Sequence, residues 1–68
     1  MKITIVNVKV RNVKTGTDQD CIKLFISRQV AEDWLKDQNA RKQTLNHWAN
    51  FGSYYNTYYR ISEEEVIK

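Results

Sequence analysis

The sequence predicts an α+β domain: a three-stranded antiparallel sheet with one or two helices packed on one face, in chain order β-β-α-(α)-β. Three observations predict it. Val6, Val8 and Val10 alternate with Asn7, Lys9 and Arg11, the two-residue period of a half-buried strand. Val30, Ala31, Trp34 and Leu35 recur at the spacing of an amphipathic helix. The run from Tyr54 to about Ile61 is dense in tyrosine, a residue that suits a pleated, partly buried surface.

The first strand covers Ile3 to Val13, where β-branched residues dominate. Ile3 and Ile5 have the opposite parity to the valines. Either a bulge near Ile5 shifts the register, or both faces of the sheet are covered at that end. Thr15-Gly16-Thr17-Asp18 is a turn, since glycine takes a positive φ at little cost. A second strand from about Asp20 to Ile26 puts Ile22, Leu24 and Ile26 on one face and Cys21, Lys23 and Phe25 on the other. The two strands form an antiparallel hairpin.

Ser27 has the chemistry of a helix N-cap, and the helix runs from Arg28 to about Asn39, with Glu32 and Asp33 placed early to suit its dipole. Ala40 to Gln43 is polar. Leu45, Trp48 and Ala49 resume helical spacing, so residues 40–53 hold a second short helix or a continuation of the first, ended at Phe51-Gly52-Ser53. The tyrosine strand follows. Ser62 to Lys68 either extends it or forms a final helical turn, for which Ser62 and Glu65 have capping-box spacing.

Sixty-eight residues make one domain, spanning 1–68. A chain of this size buries only about 60% of the surface its unfolded form exposes. Its single cysteine, Cys21, cannot form an intramolecular disulfide, and the single histidine, His47, leaves no Cys/His metal set. No cofactor or metal is therefore expected, and stability rests on packing, with a dimer interface as one way to extend it. The lone cysteine, the broken apolar run at the N-terminus and the lack of any spanning stretch lead us to expect a cytoplasmic location and no membrane partner.

The net charge is +3. Lys2, Lys9, Arg11 and Lys14 give the first fourteen residues four positive charges and no negative one, and Glu63, Glu64 and Glu65 lie near the end. The excess is too small for a dedicated nucleic-acid arm and suits a solvated surface.

No catalytic constellation is visible. Nothing in the spacing joins His47 to Cys21 or to a serine, and Glu32 and Asp33 are adjacent, pointing to different sides of a helix. Neither a phosphate-binding glycine loop nor a metalloprotease or EF-hand pattern occurs. His47 is expected as a structural histidine and Cys21 as a small apolar filler, with a reactive thiol lowered by Lys23 as the alternative. Trp34 belongs to the apolar stripe of the helix. We expect no enzyme.

The open face of the sheet carries the candidate binding surface. If the valines meet the helix, Lys9 and Arg11 point away from it. The matching residues are Lys23 and Phe25 in the second strand and Tyr54, Tyr58 and Arg60 in the last. Cations among aromatics on a sheet bind single-stranded nucleic acid by stacking and phosphate contact. Tyrosine and arginine are equally the residues enriched at protein–protein hot spots.

Phe25-Ile26-Ser27 leading into Val30-Ala31-Glu32-Asp33-Trp34-Leu35, with Tyr58-Tyr59-Arg60-Ile61-Ser62-Glu63-Glu64-Glu65-Val66 near the end, resembles a pattern in small uncharacterised proteins of phages and prophages of Gram-positive bacteria. The resemblance covers about the second two-thirds of the chain, and the longer route through Ala40 to Ser53 departs from it. It implies a phage- or mobile-element-encoded accessory protein that binds and modulates, or inhibits, a host or phage protein, and it transfers no catalytic residue. Two alternatives stand beside it: a single-stranded nucleic-acid-binding module using the open sheet face, and a self-associating homodimer.

Overall fold

Residues 2–66 are described by the computed structural model. β1 (Lys2–Asn12) alternates between buried Thr4, Val6 and Val8 and the less buried Ile3, Ile5 and Asn7, so the valine period makes one face of a strand as expected. Its pairing with both neighbours runs in unbroken register, which excludes a bulge at Ile5. Ile3 and Ile5 stand half-buried on the opposite face.

β2 (Asp18–Phe25) follows β1 through a hairpin in which four residues, 13–16, separate the paired Asn12 and Thr17. The Asn12 N–H donates to the Thr17 carbonyl at 2.8 Å and the Gly16 N–H to the Asn12 carbonyl at 2.8 Å. Asn12 Oδ1 accepts from the Lys14 and Thr15 amides, and Gly16 takes φ 73°, a conformation glycine adopts without penalty.

Ser27 caps α1 (Arg28–Asp37), its hydroxyl accepting from the Val30 N–H at 3.3 Å. Glu32 and Asp33 fall beyond the first turn, so they do not serve the dipole as expected. They pair along the helix instead: Arg28 Nε donates to Glu32 at 3.1 Å, and Gln29 Nε2 donates to Asp33 at 3.0 Å. The chain leaves the helix through Asn39 at φ 60°, and the Ala40 N–H donates to the Leu35 carbonyl at 3.0 Å.

The expected three-stranded sheet with a second helix is not what forms. Residues 40–53 build β3 (Arg41–Lys42) and β4 (His47–Phe51), and β5 (Tyr55–Glu65) follows, giving, among the described residues, one helix and a five-stranded antiparallel sheet in the order β2-β1-β5-β4-β3. The helical spacing of Leu45, Trp48 and Ala49 is a coincidence of three residues. Leu45 sits exposed in the β3–β4 turn, while Trp48 and Ala49 lie in one strand with side chains to opposite faces. Pairing of β4 with the long β5 supplies hydrogen bonds that outweigh local propensity. Gly52 ends β4, not a helix: its N–H donates to the Tyr55 carbonyl at 2.9 Å, and a Cβ there would meet that oxygen at 3.0 Å. β5 continues to Glu65, so the strand alternative holds over residues 62–65, while Ile67 and Lys68 lie outside the described residues.

The core sits between α1 and one face of the sheet, where Val6, Val8, Trp48, Tyr59 and Ile61 meet Ala31 and Leu35. Phe25, Trp34 and Tyr59 form a ring chain across it, with centroids 5.5 and 5.8 Å apart. Ten helical residues span about 15 Å, whereas the molecule is 44 Å long. One short helix therefore covers part of one face and leaves the other face bare.

Candidate functional site

The uncovered face is organised by register, because directly paired residues of antiparallel strands share a face. Five rows cross it. Ile3 and Glu64 pair in the first, and Ile5 lies between Leu24 and Ser62 in the second. In the next row Ile22, Asn7, Arg60 and His47 line up across β2, β1, β5 and β4. Asp20, Lys9, Tyr58, Ala49 and Arg41 form the fourth row, and Asp18, Arg11, Asn56 and Phe51 the fifth. The third and fourth rows line a shallow trough of about 670 Å³.

Lys9, Arg11, Tyr58 and Arg60 thus occupy the open face as their parity predicts. Lys23 and Phe25 do not. Pairing of Asn12 with Thr17 across a four-residue loop sets even residues of β1 opposite odd residues of β2, so Lys23 faces Val6 and Phe25 faces Thr4 on the helix side. Phe25 packs on Trp34 there. Tyr54 precedes β5, and the Lys14 ammonium sits 4.7 Å from its ring centre, so it belongs to the hairpin end.

Sequence reasoning missed the residues that replace them. Ile22 and Leu24 are 62% and 65% exposed on the open face, and Phe51 is 61% exposed with its ring 5.7 Å from Tyr58 in an edge-to-face contact. The alternation of β2 was legible, but its phase was not. Phe51 was hidden by the helical reading of residues 40–53.

Charge on this face is mixed. Arg11 is held by Asp18 at 3.3 Å, whereas Lys9, Arg41 and Arg60 make no ion pair among the described residues. Asp20 and Glu64 offset part of that cationic charge. Arg28, by contrast, is structural. Its guanidinium reaches Glu32, the Leu45 carbonyl, Asn46 Oδ1 at 3.2 Å and Glu63 at 3.7 Å, tying the helix start to the β3–β4 turn and to β5.

His47 is exposed, with Nδ1 2.9 Å from Thr44 Oγ1. Cys21 is also exposed, which corrects the expectation of an apolar filler. The thiol lies on the helix side of β2 and the imidazole on the open side of β4, three strand spacings apart, or about 14 Å. That separation rules out a nucleophile–base pair between them in this fold. Among the described residues, no three His, Cys, Asp or Glu side chains cluster to hold a metal ion, and no helix is long and apolar enough to cross a membrane. Burial pushes the Tyr59 phenol above its usual pKa; the nearby Cys21 adds to the rise, and a hydrogen bond with Thr57 works against it.

Comparison with protein-family models, curated proteins and solved structures yields no match to this chain.

Proposed function

We propose that this chain is a small non-enzymatic protein-binding module whose open sheet face docks on another protein. The observation that carries this reading is the composition of that face. Apolar Ile22, Leu24 and Phe51 stand exposed around a centre of Tyr58, Arg60 and Lys9, on a sheet whose opposite face packs against the helix to form the core cluster. Aromatic and arginine side chains ringed by apolar residues are the usual makings of a hot spot. The nearly balanced charge favours a protein over a nucleic acid, because phosphate binding depends on a clear cationic excess. The strand-to-helix resemblance supports a phage-type accessory role, with modulation or inhibition of a host or phage protein as the consequence of docking, in the cytoplasm of the host cell.

The test compares wild-type protein with Tyr58→Ala and Arg60→Ala variants in quantitative capture from a Gram-positive bacterial lysate. A protein retained by the wild type and lost at least about tenfold with either variant supports the reading, as expected for residues each contributing about 1.4 kcal/mol or more. A titration with a mixed-sequence single-stranded oligonucleotide runs in parallel. Binding that falls steeply with salt and disappears in the same variants replaces the protein-docking reading by the nucleic-acid one.

A further inference from the structure

The geometry points to self-association through β2: its free edge pairs antiparallel with β2 of a second copy of this chain, about a two-fold axis through Ile22. This joins two five-stranded sheets into one of ten strands. It goes beyond the docking role of the open face and does not depend on it.

β2 is the outermost strand on its side, and among the described residues no strand pairs with the outer side of its eight residues, whereas the opposite edge is closed by the two-residue β3. The phase of its hydrogen bonds is set at the hairpin. Because the Asn12 N–H donates to the Thr17 carbonyl, odd-numbered residues of β2 exchange bonds with β1, and Asp18, Asp20, Ile22 and Leu24 turn their N–H and C=O groups outward. A long edge of unpaired backbone flanked by exposed aliphatic side chains is a template for another strand. On β2 those aliphatics are Ile22 and Leu24.

The partner is a second copy because the strand is self-complementary in only a narrow set of registers. Continuity of the sheet requires outward-facing residues to meet outward-facing residues, so even numbers face even numbers across the axis. An axis through Gln19 sets Asp18 against Asp20 of the second copy. Axes through Asp20 or Lys23 set like charges directly opposite each other, which is destabilising. An axis through Cys21 sets Asp20 against Ile22 and Asp18 against Leu24, so that no aliphatic side chain meets another, and an axis through Leu24 pairs only residues 23–25 of the strand. With the axis through Ile22, Ile22 meets itself, Leu24 meets Asp20, and Lys23 meets Cys21 of the second copy. Asp20 then keeps Lys9 beside it within its own chain. No like charges face each other, and Ile22 and Leu24 of both copies form one aliphatic strip at the centre of the joined face.

Light scattering and sedimentation of the full chain from micromolar to millimolar concentration test this directly. The expected result is a mass rising from 8.1 kDa to twice that value, with the amides of Asp20, Ile22 and Leu24 becoming slower to exchange as concentration rises. The amides of Cys21 and Lys23 exchange slowly throughout. Ile22→Lys places two ammonium groups across the axis, and Leu24→Pro removes an outward N–H that the monomer does not use. Each is expected to raise the dissociation constant at least about tenfold while leaving the dilute-solution circular dichroism unchanged. Tyr58→Ala should dimerise as the wild type does, which separates this interface from the docking face. A mass of 8.1 kDa at every concentration, with Ile22 amide exchange independent of concentration, overturns the inference. So does a dimer that survives both Ile22→Lys and Leu24→Pro.

Discussion

The chain contains three leucines, Leu24, Leu35 and Leu45, and the fold assigns them such different surroundings that one substitution, Leu→Ala, probes it at three points. Leu35 is fully buried between helix and sheet, whereas Leu24 and Leu45 are 65% and 66% exposed. Removing three buried carbons forfeits about 2.4 kcal/mol at about 0.8 kcal/mol per methylene. At Leu35 a cavity term adds to this, bringing the loss to about 3–5 kcal/mol. At the exposed sites about a third of the side chain is covered, so the same arithmetic yields about 0.8 kcal/mol each. A domain of this length has only about 3–10 kcal/mol of total stability. Leu35→Ala should therefore remove most of the folded population or lower Tm by at least about 12 °C, at about 4–8 °C per kcal/mol. Thermal unfolding by circular dichroism at low micromolar concentration measures all three. A second helix over residues 40–53 would place Leu45 on a buried stripe and make Leu45→Ala as damaging as Leu35→Ala. Equal losses at these two positions would refute the β3–β4 hairpin.

Two further outcomes follow from single residues. Asn39 holds φ 60° at the helix exit, so Asn39→Ala should cost about 1 kcal/mol in urea unfolding while Asn39→Gly costs nothing or stabilises slightly; equal losses would show that the side chain, not the backbone, matters. Tyr59 has a folded pKa raised above 10.0, first by burial and then by Cys21. The folded state thus holds this proton more tightly than the unfolded state does. The linked stability is fully present below pH 10.0 and is lost as pH rises from there through the folded pKa. Tm should fall in that window, and Tyr59→Phe should flatten the fall; an unchanged slope in the variant would show that Tyr59 does not govern it.

The local elements were legible because their causes are local. Alternation of Val6, Val8 and Val10 marks a strand regardless of its neighbours, and Gly16 marks a turn. Ser27 followed by an apolar stripe marks a capped helix, which the structure ends at Asp37 through Asn39. The parity that sends Lys9, Arg11, Tyr58 and Arg60 to the uncovered face came from the same period of two. What failed depended on residues outside the local window. Trp48 and Ala49 suit a helix in their own window, and only the presence of β5, with Tyr59 and Tyr58 opposite them, makes a strand the better use of their backbone groups.

The face that each residue of β2 presents was likewise undecidable from its own alternation, since Ile22–Leu24 and Lys23–Phe25 are both consistent with a strand. The length of the hairpin loop decided it, by pairing Asn12 with Thr17. The sequence by itself determined that the segments of β1, β2 and β5 are extended, where the helix starts and which strand positions share a side. The tertiary structure alone decided that residues 40–53 join the sheet and that Ile22, Leu24 and Phe51 flank Tyr58 and Arg60 on the open face. The physical reason is that periodicity is written within a few neighbouring residues. Strand pairing and the covering of a face depend on groups beyond that window, whose hydrogen bonds and buried surface outweigh local preference.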